Sequence, residues 1–96
     1  MNQYVIIARD GNDESAQDRR MTIRPLHLAG AAQLKANNNF VIGGAMLNAA
    51  GLMEGSVMIV QFETEEQFNN WYNNEPYITG NVWQSIEVKS FRVANV

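Results

Sequence analysis

Ser56-Val57-Met58-Ile59-Val60-Gln61-Phe62-Glu63-Thr64-Glu65-Glu66-Gln67 decides the fold of this chain, because a strand ends and a helix begins inside it. The apolar, partly β-branched run Ser56–Phe62 predicts a strand. Thr64 followed three positions later by Gln67 is a capping box, and Glu65 and Glu66 sit where the helix dipole favours acids. Beyond it, Phe68, Trp71 and Tyr72 share one helical face, which predicts a core-facing aromatic side. Pro76 restricts the residue before it to extended backbone and stops this helix by about Asn74 or Glu75.

Upstream, Tyr4-Val5-Ile6-Ile7-Ala8 reads as a strand closed by the turn-forming cluster Arg9-Asp10-Gly11-Asn12-Asp13. A helical pattern runs from about Glu14 to Lys35. Proline is best accommodated in a first helical turn, so Pro25 predicts a loop or short helix first and the main helix from about Thr22 to Ala36. Asn37-Asn38-Asn39 ends it, and Phe40–Leu47 reads as a second strand whose paired Gly43 and Gly44 allow a bulge or a close approach. Asn48–Gly55 reads as a hairpin connection. The last strand is expected from about Trp83 to Val93, with a change of phase between Val88 and Phe91 that suggests a bulge.

The order is β-α-β-β-α-β over a single domain, residues 1–96, with no repeat or low-complexity segment. It predicts an α+β, ferredoxin-like split βαβ arrangement, in which right-handed crossovers put both helices on one face of a four-stranded antiparallel sheet. A strand with one solvated face should alternate, yet Val5-Ile6-Ile7-Ala8 and Val57-Met58-Ile59-Val60 are continuous. Both sheet faces therefore call for burial. Two helices cover only one, so the other is expected to pack on a second copy in a homodimer with a shared barrel-like interior.

Composition narrows the chemistry. Seven basic against ten acidic residues give a net charge of −3, and no basic cluster exceeds the pair Arg19-Arg20, which argues against a nucleic-acid partner. Without cysteine there is no disulfide framework, thiolate zinc site or cysteine nucleophile. No apolar run is long enough to span a bilayer, and the first residues do not resemble a signal peptide, so a cytoplasmic location is expected. Metal-ligand spacing, a phosphate-cradling glycine loop and a Ser/His/Asp motif are all missing, and neither a metal nor a cofactor is expected.

His27 is the only histidine, in Arg24-Pro25-Leu26-His27-Leu28. Imidazole is the side chain whose ordinary titration lies within reach of neutral pH. On a helix His27 shares a face with Ile23, Gly30, Ala31 and Leu34, which directs it toward the sheet. Two roles fit this position: a catalytic base, or a core histidine bonded to a backbone carbonyl. Arg24, one turn earlier, is placed to repel a proton from the imidazole or to bind an anionic substrate. Glu75, held extended by Pro76, is either a carboxylate that orients His27 or an exposed helix-end acid. Gly55-Ser56 offers backbone N–H groups and a hydroxyl to a substrate oxygen, while Trp71, Tyr72 and Trp83 fit either a pocket wall or the core.

The strand Tyr4–Ala8, the R-x-x-H-L element at Arg24–Leu28, Gly43-Gly44, Gly55-Ser56, Phe62 before an acidic helix, Trp71, Pro76-Tyr77 and Val88-Lys89-Ser90-Phe91 occur in one order and spacing. On these the chain resembles the YciI-like (YCII-related) family over nearly its whole length. The resemblance implies a ferredoxin-like dimeric α+β barrel with a His–Asp pair in a cleft. It also implies kinship with a dehydrochlorinase of chlorinated aromatic degradation and, through the wider fold, with muconolactone isomerases. The family histidine falls on His27, and the aspartate before Pro-Tyr falls on Glu75, one methylene longer.

The expected function is thus a small cofactor-independent isomerase or lyase, or a dehydrochlorinase-like enzyme. His27 would take a proton from a small organic acid, lactone or aromatic-derived substrate and Glu75 would orient it, with Arg24, Ser56 and Tyr77 binding that substrate. The alternative is a non-catalytic small-molecule binder or dimeric interaction module.

Overall fold

In a computed structural model describing residues 1–96, the capping box at Thr64 is complete. Gln67 N–H donates to Thr64 Oγ1 at 3.2 Å, and Gln67 Oε1 accepts from Thr64 N–H at 3.3 Å. The elements are β1 (Asn2–Asp10), α1 (Ala16–Ala36), β2 (Phe40–Leu47), β3 (Met53–Phe62), α2 (Glu65–Asn74), α3 (Pro76–Thr79) and β4 (Trp83–Phe91). They form one antiparallel sheet in the order β2-β3-β1-β4, the ferredoxin-like topology, with the helices on one face.

The continuous apolar strands divide between the two faces. Ile6 and Ala8 of β1 pair with Met58 and Ser56 of β3, and together with Val60 and Phe62 they are buried under the helices. Val5, Ile7, Val57 and Ile59 point the other way and stay half-buried, and Ile42 beside them is 62% exposed. Phe68 anchors α2, stacking on Tyr4 at 4.1 Å and meeting Phe62, Trp71 and Tyr72 around it.

Several boundaries differ from the sequence reading, and β1 is one of them, running from Asn2 through Arg9 and Asp10, which the sequence reads as part of the closing turn. Rather than opening a helix, Pro25 lies inside α1, which starts at Ala16. Proline forfeits the bond to the carbonyl four residues back, here Met21, and both residues lie on the exposed side of the helix, where solvent rather than the core faces the break. The β2–β3 connection is shorter than Asn48–Gly55, since β3 begins at Met53. Asn48 closes the turn, its Oδ1 accepting from Ala50 and Leu52 N–H, while Gly51 takes the positive φ of 81° that favours glycine.

The bulge expected between Val88 and Phe91 is absent, and β4 stops at Phe91 rather than Val93. Register is regular from Gln3↔Phe91 to Arg9↔Ser85 and shifts only at Asp10↔Trp83. The apparent change of phase reflects Val88 on the covered face and Phe91 on the open one. Register also shifts at Phe40/Ile42 and Met46/Leu47, to either side of Gly43-Gly44 and not at them. Gly43 instead makes room for the Phe40 ring, 3.0 Å from where a Cβ would stand. Finally, α3 has no counterpart in the sequence reading.

Candidate active site

The site is built on the step from α2 to α3. Glu75 ends α2 with extended backbone (φ −64°, ψ 123°), the geometry that Pro76 imposes on it, and its carboxylate then caps α3 by accepting from Tyr77 N–H at 3.1 Å. The same Oε1 lies 2.5 Å from His27 Nδ1 on α1. Glu75 is 2% exposed and His27 9%. The extra methylene of glutamate therefore reaches the imidazole in a buried pair.

An ionised carboxylate only accepts, so beside ionised Glu75 a neutral imidazole carries its proton on Nδ1 and presents Nε2 as the lone-pair nitrogen. The ring is held from two further sides. Tyr77 stacks on it at 4.0 Å with 13° between planes, and Trp83 meets it edge-on at 5.9 Å. Nε2 makes no hydrogen bond within the protein. His27 forms part of the wall of a cavity of about 100 Å³ with Arg20, Arg24, Leu28, Phe40, Ser56 and Met58.

Arg20 was not singled out in the sequence, where it read only as half of a basic doublet. It is 3% exposed. Its Nη1 donates to both oxygens of Asp10 at 2.9 and 3.0 Å, its Nη2 donates to Ser56 Oγ at 2.9 Å, and its guanidinium lies 4.7 Å over the Tyr77 ring. Trp83 Nε1 donates to the same Ser56 oxygen at 3.1 Å. The helical spacing of Arg20, Arg24 and His27, four and then three residues apart, is the signal that would have found it. Nothing in the sequence marks Asp10 as its partner.

Arg24 stands on the cavity wall with no carboxylate partner, unlike Arg20. Ser56 lies on the wall too, but its backbone is paired on both sides with Ala8 and Ala45, so the hydroxyl, and not the N–H, is the group available to a ligand. Tyr77, expected to bind substrate, is placed otherwise: it is 1% exposed and packs beneath the imidazole, outside the cavity wall. Burial raises its phenol above the ordinary range, against a smaller opposing effect of Arg20 and Arg24. Trp71 and Tyr72 pack against the core with Phe68.

A wider depression of about 630 Å³, lined by Asp13, Glu14, Glu54 and neighbours, reaches Asp10 but touches neither His27 nor Glu75. No group of three or more His, Cys, Asp or Glu side chains is arranged to hold a metal ion. No helix is long and apolar enough to cross a membrane.

A ferredoxin-like α+β sheet with a His–carboxylate pair on its helix side defines the class, and sequence comparison gives the family. The chain belongs to the YCII-related domain family, whose model matches residues 2–92. Protein YciI of Escherichia coli is 32% identical over 96 residues, covering 93% of this chain and 95% of the relative. Among solved structures, the 5-chloro-2-hydroxyhydroquinone dehydrochlorinase of Burkholderia phenoliruptrix, in complex with 2,5-dihydroxybenzoquinone, superposes with a TM-score of 0.81 at 24% identity, covering 96% of this chain and 95% of that one. A dimeric ferredoxin-like protein of unknown function from Jannaschia superposes with a TM-score of 0.60 at 13% identity, covering 97% and 100%.

Proposed function

We propose that this protein is a small enzyme of the isomerase or lyase type in which neutral His27 removes a proton from a small organic acid, lactone or aromatic-derived substrate. The reading is carried by one observation: the buried 2.5 Å contact between His27 Nδ1 and Glu75 Oε1, with Nε2 left open at a cavity. Glu75 stabilises the imidazolium that forms on proton transfer and keeps the ring aimed. Arg24 binds the negative charge of the substrate or of the enolate that develops from it. No cofactor enters this scheme, and the expected setting is the cytoplasm.

The open sheet face supports a homodimer. Val5, Ile7, Ile42, Val57 and Ile59 form an apolar surface with no helix over it, and a second copy presenting the same face covers it by two-fold symmetry. That the Jannaschia relative of the fold is dimeric agrees with this reading.

The test is turnover of a panel of lactones, enolisable acids and chlorinated hydroxyhydroquinones, with chloride release followed for the last. A positioned general base contributes ~10²–10⁴ in rate, so His27→Ala is expected to lose about that much while keeping its fold. An unchanged rate in folded His27→Ala contradicts the assignment. If the panel is bound equally with and without His27 and nothing is converted, the protein is a binding module.

A further inference from the structure

The hydrogen bonds around Ser56 fix which way its hydroxyl points. A serine oxygen has two lone pairs and one hydrogen. Arg20 Nη2 and Trp83 Nε1 both approach this oxygen, at 2.9 and 3.1 Å. Guanidinium and indole nitrogens carry hydrogens and accept none, so both bonds are donated to Ser56 whatever the pH. Its lone pairs are filled. The one remaining capacity is donation, and no side chain of the protein accepts from it. Ser56 is 2% exposed, and its only open side is the cavity that His27 and Arg24 also line.

We infer that Ser56 Oγ–H is an obligate donor aimed into the cavity and that, with the unpaired guanidinium of Arg24, it forms a receptor for an oxyanion of a planar phenol or enol. This rests on the proposed site and names its substrate class. The polar inventory of the cavity is then complementary to one kind of molecule. His27 Nε2 accepts a proton, Ser56 donates to an oxygen, and Arg24 meets a negative charge. Leu28, Phe40 and Met58 supply the apolar walls that a flat ring would contact. Arg20 and Trp83 act as positioning residues that turn the Ser56 hydrogen outward, and Asp10, bound through both oxygens, holds Arg20 in place.

The arrangement makes a prediction about ionisation, which structural roles for Ser56 do not. A donor and a cation bind phenolate more tightly than phenol, so a bound phenol ionises at lower pH than the free one. The probe is 4-nitrophenol, whose phenolate is read directly by its visible absorbance. The expected result is saturable binding by the wild-type protein at millimolar probe, with the bound probe titrating at lower pH than free probe. A hydrogen bond to a charged group accounts for roughly 10- to 100-fold in affinity, so Ser56→Ala is expected to reduce that displacement by about one to two pH units.

Ser56→Ala also leaves Arg20 and Trp83 without an acceptor. Ser56→Cys, which keeps an atom in place with a much weaker donor, is therefore run beside it and is expected to reduce the displacement as well. His27→Gln separates this inference from the proton-transfer reading. If Ser56 and Arg24 hold the oxyanion, the displacement survives without the imidazole, even if His27 proves not to be the base. Absence of wild-type binding, an undiminished displacement in a folded Ser56 variant, or a displacement lost in His27→Gln and kept in Ser56→Cys each overturns the inference.

Discussion

The two faces of the sheet come from the same four strands and differ in which polar groups they bury. Behind the helices, next to Ile6, Ala8, Met58 and Val60, lie Arg20, His27, Ser56 and Glu75, all buried. The open face is apolar along its centre, at Val5, Ile7, Val57 and Ile59, carries Glu87 and Lys89 on β4, and has no helix over it. Burying charged groups is costly, and apolar residues in their place are often as stable or more so. The covered face therefore gives up stability to hold a cavity lined by fixed donors and an acceptor, and the open face leaves apolar side chains half-buried, which is what the proposed dimer would cover.

The largest structural effect is expected where the covered face is broken. Asp10→Asn leaves the Arg20 charge buried without its counter-charge, which costs about 3–5 kcal/mol when one partner of such a pair is removed, read by urea denaturation. A change below about 1 kcal/mol would show that Arg20 is solvated in solution. The open face is expected to respond through assembly. Ile59→Lys puts a charge at its centre and should convert a dimer to a monomer in sedimentation with secondary structure retained. A wild-type monomer at micromolar concentration would contradict the two-face argument.

A smaller effect is expected from Tyr77. Its phenol is raised by burial, so at alkaline pH the folded state keeps a proton that the unfolded state has lost. The sign follows: this contribution is constant below the ordinary tyrosine range near pH ~10 and falls as pH rises from there toward the folded value. Tyr77→Phe should flatten that fall in pH-dependent melting and, because the hydroxyl has no partner, should not destabilise the protein at neutral pH. The smallest effect belongs to Arg19, the neighbour of Arg20. Its pair with Asp13 is at the surface, where ion pairs contribute little, so Asp13→Asn should leave the melting temperature unmoved. A loss comparable to that of Asp10→Asn would erase the distinction between the two pairs.

How much of this was legible in the sequence depended on whether the signal was local. The capping box at Thr64 and the strand before it are local, and so is the stop at Pro76, so their positions followed directly. The continuous apolar strands also carried the two-faced sheet. Pro25 misled because its cost is set by where the orphaned carbonyl points, and that depends on the packing of α1. Arg20 and Asp10 were missed for a related reason: Arg19 and Arg20 are alike as letters and differ only by the rotation of one helical residue, which sends one outward and the other under Tyr77. The network at Ser56 joins residues from β1, α1, β3 and β4, and no spacing within one element encodes it.

The central claim is that Glu75 fixes His27 with its proton on Nδ1 and Nε2 free. Since the chain has one histidine, nitrogen NMR of ¹⁵N-labelled protein shows a single imidazole. Measured at about pH 8, where imidazole is ordinarily neutral, the account predicts the Nδ1–H tautomer in the wild type and its redistribution toward Nε2–H in Glu75→Gln. An Nε2–H tautomer in the wild type, or a spectrum indifferent to Glu75→Gln, would contradict it.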